Sequence, residues 1–198
     1  PALARPPRLV GRADAVARLQ GAWDQGRAAL LLGEGGIGKT RLLDDFVRGR
    51  AGLLSLRMRP GDAGTPYAGV VPLLRQAWQR RPPGLPDDVS AELARLLPEA
   101  GPAPHPERKA SQPILWQAVE ALFGAAVASG VEVIAVDDLH HADEASLDLL
   151  RWLAASPLLT DQRWLFAARA DGPGDATVRL GEWAADAARV ETVALRPL

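Results

Sequence analysis

The chain has 198 residues, 47 % of them apolar, enough to build the core of one large domain or two small ones. Its 23 Lys and Arg against 24 Asp and Glu leave a net charge of −1, which argues against coating nucleic acid through bulk charge. The lack of cysteine excludes a disulfide framework and thiolate metal sites, and no apolar run approaches the roughly 18 residues that cross a bilayer. The opening PALARPPRLVGR has no apolar stretch of the signal-peptide kind, so a cytoplasmic location is expected.

In chain order, Val16, Leu19 and Trp23 recur at helical spacing over residues 13–25. The apolar run at 28–32 predicts a short buried strand, and Leu42, Leu43, Phe46 and Val47 predict a helix over 39–48. LLSLRM alternates as a strand over 53–58, and PGDAGTP at 60–66 is turn chemistry. Val70, Leu74, Ala77 and Trp78 give one stripe to a helix over 67–81, with Pro72 near its start, where proline is best tolerated. After the break RRPPGLP come a short helix over 87–97, a Pro-rich loop over 98–107 and the longest helix, 111–129, with Leu115, Val119, Leu122, Phe123 and Val127 inward. VEVIAV at 131–136 is a β-branched run of the kind found in central parallel strands. A helix over 144–154, a strand over 163–169, a helix over 178–188 and a strand over 190–195 complete the chain. Strands alternating with helices specify an α/β fold, a three-layer α/β/α sandwich around a five-stranded parallel sheet.

Between the first strand and the second helix lies GEGGIGKT, residues 33–40, which fits G-x-x-x-x-G-K-[ST]. Glycines let successive backbone N–H groups curl around a phosphate, and the helix that follows adds its partial positive charge. Gly33, Gly35, Gly36, Ile37, Gly38, Lys39, Thr40 and Arg41 are the candidate residues for binding ATP or ADP. Lys39 would meet the β- and γ-phosphates and Thr40 would put its hydroxyl on Mg²⁺. A glycine-rich turn with an exposed lysine is the plainer alternative. Mg²⁺ on a triphosphate needs a carboxylate at a neighbouring strand end. VIAVDD supplies Asp137 for the metal and Asp138 to orient or deprotonate an attacking water.

With these motifs in hand, the chain resembles the nucleotide-binding domain of the STAND class of signal-transduction ATPases, relatives of the AAA+ ATPases, as in large bacterial regulators of the LuxR and MalT type. The resemblance runs through LVGR (9–12), GEGGIGKT, GDAGTPY (61–67), VIAVDDLHHADEASLDLL (133–150) and the arginine of FAARAD (166–171). It implies that Val10, Gly11 and Arg12 lie against adenine and that Arg169 senses the γ-phosphate. The family often has Thr or Ser before that arginine, where this chain has Ala168, and commonly Trp where this chain has His141. It also implies a sheet in which the strand ending at Asp137 lies between those starting at 53 and 163. The glycine-loop strand then lies between the fourth strand and the last.

The whole of 1–198 is therefore expected to be one P-loop NTPase domain, a piece of a longer protein whose lid, winged-helix and sensor domains follow. Its expected partners are nucleotide, those further domains and, through ATP, copies of itself, with no direct nucleic-acid or membrane binding by this portion. The leading function is an ATP-binding, slowly hydrolysing switch with Lys39, Asp137, Asp138 and Arg169 as its chemistry. An oligomeric AAA+ remodelling ATPase, which needs an arginine finger, is the alternative. A small-molecule kinase would need an acceptor pocket within 60–130, whose apolar stripes read instead as packing helices. His140 and His141 beside aspartates do not make a metal site, because the triphosphate already accounts for the acids. Asp143 reads as the cap of the helix starting at 144. Trp78, Trp116 and Trp152 read as packing residues, since no basic stripe accompanies them as a base-stacking track would require.

Overall fold

The computed structural model describes residues 11–81, 84–105, 111–170, 175–186 and 190–197. Among the described residues the α-helices and strands run in the order α1 (Ala13–Asp24), β1 (Ala28–Gly33), α2 (Lys39–Val47), β2 (Leu53–Arg57), α3 (Val71–Arg80), α4 (Asp87–Leu93), α5 (Gln112–Ala128), β3 (Val133–Asp137), α6 (Glu144–Ala154), β4 (Arg163–Arg169), α7 (Asp175–Ala185) and β5 (Val190–Ala194). No helix among the described residues is long and apolar enough to cross a membrane.

The five strands form one parallel sheet in the order β2-β3-β4-β1-β5, the order the resemblance implies. Alternation along each strand splits the core in two. Ala29, Leu31, Val133, Ala135, Leu165 and Ala167 face α1 and α2. Leu30, Ile134, Val136, Trp164 and Phe166 face α3, α5, α6 and α7. Both faces are covered, which is why β3 can be buried at every position. β2 lies at an edge, and the side-chain amide of Gln76 pairs with its outer side: Ser55 N–H donates to Oε1 at 3.2 Å, and Nε2 donates to Ser55 O at 2.8 Å.

The structure corrects three local expectations. The buried stripe of α1 is Ala15, Leu19 and Ala22, while Val16 is 38 % exposed. Small alanines let the helix approach the sheet, so the stripe is turned by one residue. Trp23 instead meets Phe46 edge-on at 6.0 Å beneath the Arg50 guanidinium. Residues 67–70 are turn, with Tyr67 at φ 66°, and the helix begins only at Val71, with Pro72 in its first turn. The helix expected over 178–188 starts three residues earlier, at Asp175.

Candidate nucleotide site

β1 ends at Gly33 and α2 begins at Lys39, so the glycine loop joins the C-terminal end of a strand to a helix N-terminus. Gly36 at φ 77° and Gly38 at φ 98° hold left-handed backbone that a side chain would strain. Gly35 has a different reason to be glycine: a Cβ there would overlap the guanidinium of Arg169. Lys39 is only 6 % exposed, and its Nζ donates to Gly33 O at 2.9 Å and Glu34 O at 2.7 Å. Loop carbonyls thus keep the buried cation solvated and aimed along the loop.

Although β4 separates β3 from β1, α2 crosses to reach the end of β3. Thr40 Oγ1 there donates to Asp137 Oδ2 at 2.6 Å, and Asp138 N–H donates to Asp137 Oδ1 at 2.8 Å. Asp138 itself is left-handed at φ 53° and opens the turn 139–141. Lys39, Thr40, Arg41, Asp138 and Arg169 line one cleft of about 530 Å³ with the glycines, a size suited to a small organic ligand. A hydroxyl and a carboxylate meeting at one point, beside a loop whose glycines leave open space, are the oxygen donors a hard cation takes, so the residues fit Mg²⁺ on a phosphate chain.

Arg169 ends β4 with its side chain against Gly35, and its backbone N–H donates to His140 Nδ1 at 3.4 Å. Ala168, where the resemblance would put Thr or Ser, is wholly buried in the core. The imidazole of His140 is pushed below its ordinary pKa, first by burial and then by the nearby charges of His141, Arg169 and Lys39, against which Asp138 pulls upward. Among the described residues no cluster of His, Cys, Asp or Glu is built to hold a metal without phosphate.

The resemblance implies an adenine contact for the N-terminal segment, and Arg12 here makes two backbone contacts. Arg12 Nη2 donates to Ile37 O at 2.8 Å and Nη1 to Arg196 O at 2.7 Å, so this guanidinium ties the loop to the exit of β5. Gly11 precedes it at φ 71°, and Val10 lies outside the described residues. Sequence reasoning missed Asp44, Asp45 and Arg48, which also line the cleft. Asp44 and Asp45 lie on α2 beyond Arg41, where helical periodicity counted from Lys39 could have found them, and Arg48 is the residue that ends the helix. It also missed Arg57, whose guanidinium pairs with Asp137. Asp143 caps α6, accepting from Ser146 N at 2.8 Å, as its sequence position suggests. The same carboxylate takes Tyr67 N–H and Gly69 N–H at 2.8 and 3.1 Å, joining the GDAGTPY segment to the one after β3.

Sheet order, glycine loop and the two aspartates at the end of β3 together define a P-loop NTPase. Residues 8–165 match the family described as AAA ATPase domain, and the chain belongs to that family. No curated protein matches the chain. Among solved structures it is similar to a Walker-type ATPase of Pyrococcus abyssi, at 12 % identity and a TM-score of 0.47 over 96 % of this chain. It is also similar to Pif1 helicase in a structure of DNA unwinding at forked double-stranded DNA (15 %, TM-score 0.45, over 97 % of this chain). A third is in a structure of Drosophila ORC bound to GC-rich DNA and Cdc6 (15 %, TM-score 0.41, over 98 % of this chain). The chain spans 56 %, 45 % and 64 % of the length of those three chains.

Proposed function

We propose that this AAA ATPase domain is the ATP-binding, slowly hydrolysing switch of a larger signal-transduction or transcription-regulatory ATPase of the STAND class, as in LuxR- and MalT-type regulators. The observation that carries the reading is the meeting of Lys39 and Thr40 at the start of α2 with Asp137 at the end of β3, around one glycine loop. The loop N–H groups and Lys39 take the phosphates, and Thr40 with Asp137 holds Mg²⁺. The metal, when bound, neutralises charge on the β- and γ-oxygens. Asp138 orients the attacking water and Arg169 faces the γ-phosphate. Two of the segments behind the STAND resemblance, 61–67 and 133–150, are held together by Asp143, which supports treating them as one nucleotide-responsive unit. Further domains of the same protein and ATP-dependent self-association are its partners in this reading.

Thermal denaturation tests it. Mg²⁺ with ATP or ADP at about a hundred times its Kd adds roughly 2.7 kcal/mol, a rise of several degrees in melting temperature. Lys39→Ala removes most of that rise by deleting the charge that meets the phosphates. An unmoved melting temperature for the wild type at millimolar nucleotide overturns the reading.

A further inference from the structure

The two oxygens of Asp137 carry different loads. Oδ1 takes a neighbouring backbone N–H, that of Asp138. Oδ2 takes the Thr40 hydroxyl and also the guanidinium of Arg57, with Nε and Nη2 both at 3.2 Å. Arg57 is the last residue of β2, and the parallel register sets it directly beside Asp137. The aspartate side chain is 6 % exposed and that of Arg57 57 % exposed, so the cation reaches from solvent onto a buried anion. A buried carboxylate with no countercharge is costly. The guanidinium therefore neutralises the carboxylate with which the proposed reading of the cleft holds Mg²⁺.

The two cations compete for that carboxylate. Mg²⁺ takes its oxygens at about 2.0–2.1 Å in near-octahedral array, and a positive fork already on Oδ2 opposes its approach by charge. We infer that Arg57 is a resident stand-in for the dication. It satisfies Asp137 while the metal is absent and swings into water when Mg²⁺ loads, so it sets the Mg²⁺ concentration at which the cleft fills. Its place makes this motion easy: β2 is an edge strand, and the side chain leaves no core cavity when it moves. The inference rests on the cleft being the Mg²⁺–nucleotide site.

The experiment is a Mg²⁺ titration of the whole chain at fixed ADP, which removes turnover from the readout. It follows a fluorescent ADP analogue and, separately, the melting temperature. Wild type is compared with Arg57→Gln, Arg57→Lys and, as a remote loss of one positive charge, Arg75→Gln. Arg57→Gln should lower the half-saturating Mg²⁺ about fivefold, the scale of one partly exposed ion pair. Arg57→Lys should fall between, keeping the charge but not the fork. Arg75→Gln should match the wild type. The metal-free Arg57→Gln protein should also melt below the wild type, since Asp137 has lost its partner. Should the glutamine variant fail to fold, the lysine variant still tests the ordering. A half-point in the Arg57 variants equal to or above the wild type overturns the inference alone. A wild type without any response to Mg²⁺ and ADP overturns the reading of the cleft and the inference with it.

Discussion

Individual residues in the cleft have separable jobs. Gly35 tests one of them. The atoms nearest its Cβ would all belong to the far end of the Arg169 side chain, which can move aside. Gly35→Ala should therefore cost less than about 1 kcal/mol of stability in urea unfolding. It should nevertheless slow γ-phosphate release about as much as Arg169→Ala, and the double variant should be no slower than either, because both act through the same guanidinium. Additive losses would place the effect of Gly35 elsewhere. His140 offers a pH test. Its folded pKa is lowered, chiefly by burial, so between that value and the ordinary 6.5 the unfolded chain binds more proton than the folded one. Stability should hold above about pH 6.5 and fall as the pH drops through it. His140→Asn, which keeps an acceptor for Arg169 N–H, should flatten that part of the melting-temperature profile.

At the scale of elements, the contacts of Asp143 reach beyond the helix it caps. Asp143→Ala leaves the N–H groups of Tyr67, Gly69 and Ser146 without their acceptor in a buried place. The expected cost is ~3 kcal/mol by chemical denaturation, more than an isolated helix cap gives, with Asp143→Asn restoring part of it. The bounds of α6 and the path of β3 were legible in the sequence because the signals are local: a capping aspartate and a β-branched run between turn residues. The glycine loop was legible because each residue type answers a requirement of phosphate binding. The stripe of α1 was not, since Ala15 and Ala22 are weak hydrophobic signals that only close approach to the sheet makes inward. Nor was Arg57, because its pairing depends on the register of β2 on β3, strands separated in the sequence by α3, α4 and α5. The contacts of Arg12 were not legible, as its partners come from two distant segments.

For the whole molecule, slow chemistry is the expectation. Phosphoryl transfer is accelerated mainly by positioning and by positive charge at the transition state. Arg169 is exposed, so water screens its charge, and the Lys39 ammonium is shared with loop carbonyls. Turnover of the purified chain should lie well below the roughly 1–10³ s⁻¹ common among enzymes. Phosphate release measured across protein concentration decides between assemblies: a flat, low rate fits a switch, and a steep rise points to a cation supplied by a neighbouring copy. The pairing of Gln76 with Ser55 bears on how copies could meet. A side-chain amide imitates a peptide group there and occupies the backbone donor and acceptor that an incoming strand would need. At Ser55 this border of the sheet is thus closed to another chain's strand, and copies meeting at that point do so through side chains rather than through a continuous backbone ladder.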